Sequence, residues 1–218
     1  MMNLFRIFIS LFLLLNLEAC SRNSEDAAKS KATIETSQNV FENKFFGVSI
    51  VKPDDWHNMS AEEQMHTKEA GSELLFSDNE DMQRAARVNA KKVHTLFSFA
   101  KHALGSPVDI NPSITVLAEN VSHLSGIVSG EDYFFHLKKA LTSSGVNYEL
   151  SDTYGRSQIG GYEFVQLDTK LVFNENGILQ SYYAKRRGDF MYLVIETYGD
   201  LPNKPATSSV LDSIKFDW

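Results

Sequence analysis

The chain has 218 residues, 28 acidic against 21 basic ones, a formal net charge of −7 and a single cysteine. One cysteine excludes an internal disulfide, and the acidic balance lacks the basic face that nucleic acid requires, so no nucleic-acid partner is expected. Hydrophobic packing alone must therefore hold the fold.

In chain order, Met1 to Arg6 form a short n-region with one positive charge, and Ile7 to Leu17 are apolar except for Ser10 and Asn16. That run has the length of a secretory h-region and is too short to span a bilayer, which needs ~20 apolar residues. Leu17-Glu18-Ala19-Cys20 then resembles the lipobox of bacterial lipoproteins: an aliphatic residue, two small residues and a cysteine. Glu18 departs from that pattern, which has a small uncharged residue there. The resemblance implies cleavage before Cys20 and acylation of its thiol and new amino group. Residues 1–19 are then a signal peptide, and the covalent lipid on Cys20 is the one non-protein group expected. Two or more acyl chains hold a protein stably on a bilayer where one does not. Ser21, rather than Asp, after the cysteine implies the outer membrane facing the periplasm if the source has two membranes. The alternative is an ordinary signal peptide cut near Ala19 with Cys20 left free.

Removing nineteen residues from 218 leaves 199, enough for one domain with a proper core. Residues 20–40 are rich in Ser, Ala, Asn, Lys, Glu and Thr, which predicts a lipidated N-terminus and flexible tether. The folded domain is expected over 41–218. Phe46, Val48 and Ile50 alternate as in a half-buried strand, and Lys52-Pro53-Asp54-Asp55-Trp56 stops it. Ser60 and Glu63 form a capping box for a short helix ending at Gly71. A brief strand is expected at Leu74-Leu75-Phe76 and a helix over Asn79 to Lys92. Further strands are expected from His94 to Lys101 and from Ile114 to Ala118, around a loop from Gly105 to Pro112.

Ser129 to Asp132 cap the clearest helix, with Tyr133, Leu137, Ala140 and Leu141 on one face and Gly145 as its stop. A meander follows, its first hairpin assigned to Asn176-Gly177 and its second to Gly188-Asp189. Phe190 to Tyr198 is apolar on both faces, so it belongs centrally, covered on both sides. A short helix from Pro205 to Ser213 and a strand at Ile214 to Phe216 complete one α+β domain.

Four stretches carry a family resemblance: Lys52-Pro53-Asp54-Asp55-Trp56 after a strand; Asn111-Pro112-Ser113-Ile114 leading to Glu119-Asn120; Gly160-Gly161-Tyr162-Glu163-Phe164 before the hairpin; and Ser213-Ile214-Lys215-Phe216. Together they resemble the PsbP-like fold over Phe41 to Trp218. The resemblance implies an α/β/α sandwich, a central and mostly antiparallel sheet flanked by helices. The family includes photosystem subunits, a Ran-binding nuclear factor and many bacterial proteins. Its members share a scaffold that binds proteins or ions, and a fold does not fix a function.

The recognisable chemistries are absent from the sequence. The six histidines form no HExxH arrangement and read as partly exposed polar residues; His94 and His102 on one strand would stand too far apart to share an ion. Asp78-Asn79-Glu80-Asp81 lacks the ligand spacing and glycine of an EF-hand loop and reads as an acidic helix start. No Gly-x-Ser-x-Gly elbow and no phosphate loop occurs. Arg187-Gly188-Asp189 spells an adhesion tripeptide, although a hairpin tip demands the same glycine and aspartate. The candidate partner surface is Lys185, Arg186 and Arg187 with the neighbouring Tyr182 and Tyr183. The expected function is a non-catalytic, lipid-anchored module with an envelope protein partner. A small-ligand or metal-ion carrier, or an enzyme with an unrecognised site, are the alternatives.

Overall fold

The computed structural model describes residues 33–37, 39–76, 92–173, 176–199 and 206–218. It is a mixed α+β sandwich around an antiparallel sheet of eight strands. β4 (His57–Asn58), β5 (Val93–Ala100), β6 (Ser113–Asn120), β11 (Phe190–Gly199), β10 (Asn176–Arg187), β9 (Tyr162–Phe173) and β7 (Tyr148–Leu150) follow one another across it, and β8 (Gly155–Ile159) also pairs with β9. A second sheet runs β1 (Thr33–Ser37), β2 (Val40–Asn43), β3 (Val48–Val51), β12 (Lys215–Phe216). Among the described residues the helices are α1 (Ala61–Phe76), α2 (Gly130–Ser143) and α3 (Ser208–Asp212).

Strand β11 is the wall between two cores. Met191, Leu193 and Ile195 join the core under α2, with Tyr133, Phe134, Leu137 and Leu141. Tyr192 and Val194 point the other way, into a core shared with Phe41, Val48, Ile50 and Phe216 of the small sheet and Val210 of α3. The two-faced apolar pattern thus places β11 centrally, between β6 and β10. Helix α2 covers one face of the large sheet, and the small sheet with α3 covers the other.

Both expected helix caps form. The Ser60 amide donates to Glu63 Oε2 at 2.8 Å, and the Glu63 amide donates to Ser60 Oγ at 3.2 Å. Ser129 is the N-cap of α2, in a reciprocal box with Asp132. The Ser129 hydroxyl and nearby amides hold the Asp132 carboxyl below its usual range, the hydroxyl most. At the first residue of α2, a Cβ on Gly130 would stand 2.7 Å from the Ala184 carbonyl oxygen, so glycine sets how closely the helix meets the sheet.

Four expectations need correction. Thr33–Ser37, read as tether, pairs with β2; Ile34 is 47% exposed, so main-chain pairing rather than burial holds this edge strand and the apolar pattern is silent there. Gly71 does not end α1, which runs on through Leu74-Leu75-Phe76; a short apolar run does not distinguish helix from strand. The hairpin is not at Asn176-Gly177, because Asn176 pairs with Phe173 and Gly177 with Val172 inside the ladder. Gly177 lies in the ladder without a positive φ, and a Cβ there would meet only the flexible Lys170 side chain. The histidines are not uniformly half-exposed: His94 is buried. The helix expected over Asn79 to Lys92 and the acidic run from Asp78 fall, apart from Lys92, outside the described residues, as do residues 1–32 with Cys20. No helix among the described residues is long and apolar enough to cross a membrane.

Candidate functional site

The expected partner surface lies along β10, and strand alternation divides it. Tyr182 is 1% exposed in the core under α2, where its hydroxyl donates to Gln180 Oε1 at 2.8 Å. Tyr183 is 5% exposed in the opposite core and donates to Glu196 Oε2 at 2.9 Å. Neither can be a partner surface, because β10 is flanked on both sides and covered on both faces. The basic run is divided too. Arg186 turns to the helix side and donates to the Gly188 carbonyl at 3.0 Å and to that of Ile127.

Lys185 and Arg187 emerge together on the small-sheet side. Lys185 Nζ lies 5.9 Å from the Tyr162 ring centre and donates to the Glu163 carbonyl at 3.0 Å. The Arg187 guanidinium lies 4.9 Å from the Trp218 ring centre. Such cation–π contacts contribute ~0.5–1 kcal/mol each at exposed sites. Trp218 is held in place: its Nε1 donates to the Phe46 carbonyl at 3.2 Å, its carbonyl accepts from Tyr162 at 2.6 Å, and its ring lies 4.2 Å from that of Phe216 and 4.6 Å from that of Tyr192. Gly47, at φ 60, closes the β2–β3 turn against this segment, its carbonyl accepting from the Asp217 amide at 2.8 Å. The same turn exposes Lys44 and Phe45. The result is a corner of Phe45, Tyr162, Trp218, Lys185 and Arg187, in which Tyr, Trp and Arg are the types enriched at interface hot spots. Tyr162 and Trp218 escaped the sequence reading because they meet β10 only through folding.

Two glutamates, Glu119 and Glu196, are buried within the sandwich. Glu119 is buried on the α2 side, and its Oε2 accepts from Tyr133 at 2.6 Å. Burial pushes its carboxyl up to about 7, against the opposing pull of the Tyr133 hydrogen bond and the Lys92 charge. Lys92 Nζ donates to His123 Nε2 at 2.9 Å, and burial and that ammonium hold His123 low. Across the sheet, Asp168, Ser181 and Glu196 face one another by register on three adjacent strands. The Ser181 hydroxyl donates to Asp168 Oδ1 at 2.6 Å and lies 2.9 Å from Tyr198 Oη. Glu196 accepts from Tyr183 and from Thr207. The available signal was parity: both glutamates occupy positions that alternate with core residues of their strands.

A small polar pocket between α1 and the sheet is lined by Met59, Gln64, Thr67, Lys68, Thr95 and Ser98 with Thr115. Burial there lowers the affinity of Lys68 for its proton. His57 lies 2.8 Å from Glu63 Oε2, and His102 stands beyond the end of β5, off the strand that carries His94. Among the described residues, no three His, Cys, Asp or Glu side chains are placed to hold a metal ion.

No protein-family model matches the chain, and no curated protein does. Solved structures similar to it include PA94 of Pseudomonas aeruginosa, a protein of unknown function, at 14% identity and a TM-score of 0.34, covering 46% of this chain and 65% of that one. A Bacteroides thetaiotaomicron protein is 12% identical with a TM-score of 0.39, covering 79% of this chain and 46% of its own. LpqN, involved in cell envelope biogenesis of Mycobacterium tuberculosis, is 13% identical with a TM-score of 0.37, covering 77% of this chain and 82% of its own. The chain therefore spans less than two thirds of the length of the first two. At these scores the likenesses carry no argument about activity.

Proposed function

We propose that the chain is a lipid-anchored protein of the cell envelope, held at the outer membrane and facing the periplasm where the source has two membranes. Its PsbP-like domain serves as a non-catalytic binding or scaffold module for another envelope protein. The anchor rests on the placing of the only cysteine after Leu17-Glu18-Ala19. The observation that carries the binding reading is the inward engagement of the buried acids: Glu119 with Tyr133, and Glu196 with Tyr183 and Thr207. The outer surface, by contrast, offers apolar side chains, Phe135 on α2 at 63% exposed among them. Buried aromatic contacts dominate protein interfaces.

Two measurements test this. Replacing Cys20 with Ala should release the protein from the membrane fraction or leave it as a precursor; normal leader removal with unchanged attachment would sink the anchor. A photo-crosslinking side chain at Phe135 should capture a discrete envelope protein in cells. Recovery of bulk envelope protein alone removes the support for a scaffold.

A further inference from the structure

The aromatic–basic corner and the start of β1 lie at the same end of the sandwich. Thr33, the first residue of β1, pairs with Asn43, the last of β2. The next residues are the turn that exposes Lys44 and Phe45, and its Gly47 is bonded to the segment carrying Trp218. On the helix side, the Val121 amide donates to the Asp189 carbonyl at 2.8 Å, which brings the loop before α2 to the same hairpin tip. That loop carries Val128, 67% exposed. Three of the six exposed large apolar residues among the described residues thus lie at this end: Ile34, Phe45 and Val128. Lys44 and Arg187 stand among them, with Asp189 and Asp217 also exposed.

The chain from Cys20 to Thr33 is only 13 residues. In any conformation, thirteen residues reach about 45 Å at most. Whatever surface holds Cys20 is therefore presented first to this end of the domain. Aromatic rings with Lys and Arg beside them are the side chains that settle at the boundary of headgroups and acyl chains. A short tether also keeps the local concentration of the surface high, so a weak contact is enough to be populated.

We propose that this end of the sandwich docks on the lipid surface to which Cys20 is anchored. Phe45 and Val128 enter the interface, Trp218 lies at its edge, and Lys44 and Arg187 meet lipid phosphates. The proposal rests on the anchor at Cys20 and assigns the corner to lipid, leaving the outer face of α2 to the protein partner.

The two tryptophans supply the test, since Trp218 lies at the corner and Trp56 is buried beyond the far end of β3. The acylated full chain, as Trp56→Phe and as Trp218→Phe, is reconstituted into phosphatidylethanolamine–phosphatidylglycerol vesicles whose acyl chains carry bromine near the headgroup. Trp218 emission is expected to fall and Trp56 emission to stay. Phe45→Glu and, independently, Val128→Glu should each restore Trp218 emission while the protein still floats with the vesicles. A floating protein whose two tryptophans respond alike overturns the docking and leaves the anchor standing. A chain that fails to float defeats the anchor and the docking with it.

Discussion

Glu119 occupies a position on β6 that alternation assigns to the core, beside Thr115 and Leu117, and it accepts a hydrogen bond from the Tyr133 hydroxyl. Its carboxyl is raised from 4.5 to about 7, so the folded chain keeps a proton that the unfolded chain sheds across that window. Stability from this group is complete below about pH 4.5 and is lost as pH climbs through about 7. The full shift corresponds to about 3 kcal/mol. Glu119→Gln keeps an acceptor for Tyr133 and removes the charge, so it should stabilise the protein at about pH 8 by up to that amount and far less at about pH 5. Urea midpoints at the two pH values measure it; equal gains at both would contradict a titrating Glu119. At this scale the sequence was legible where chemistry is local, as at Ser60 with Glu63. It was not legible where a side chain's role depends on a distant strand. Tyr182 and Tyr183 look alike as neighbours in sequence, yet each ends in a different core.

The second helix shows how far an element is written locally. Ser129, Asp132 and the spacing of Tyr133, Leu137 and Leu141 define its start and its buried face. Gly130 has no such local reason. Its meaning is the carbonyl of Ala184, which only the folded sheet brings to 2.7 Å. Gly130→Ala should therefore destabilise the domain by ~1–3 kcal/mol through overpacking, and Ser129→Ala by about 1 kcal/mol through loss of the cap. Denaturant midpoints of the two variants check both values, and an unchanged midpoint for Gly130→Ala would show that the helix start is not tightly seated. The misplaced hairpin teaches the same lesson. Asn-Gly favours a turn, but the ladder that pairs Asn176 with Phe173 fixes the register by matching whole strands.

At the scale of the molecule, two cores share one wall. Tyr192 and Val194 line one side of β11 while Met191, Leu193 and Ile195 line the other, so loss of either core strips support from both. Unfolding should accordingly be a single transition. Tryptophan emission reports the small-sheet side, where Trp56 is buried and Trp218 packs. Far-ultraviolet circular dichroism reports α2 on the other side. Their midpoints in urea should coincide; separated midpoints would show that the two sides come apart independently. The central place of β11, covered on both faces, was foreseeable from its two-faced pattern. The small sheet was not, because β1 contributes an exposed Ile34 and β12 is two residues long.

The early start of β1 also sets a height. If twenty residues were free, the domain could range well away from its anchor; with thirteen from Cys20 to Thr33, its travel from the proposed lipid is about 45 Å at most. A soluble partner would then have to come down to a thin layer beside the membrane, while a partner embedded in the same membrane is already within it. Under the proposed anchoring, β1 thus restricts which neighbours the domain can meet before any side chain has made a choice.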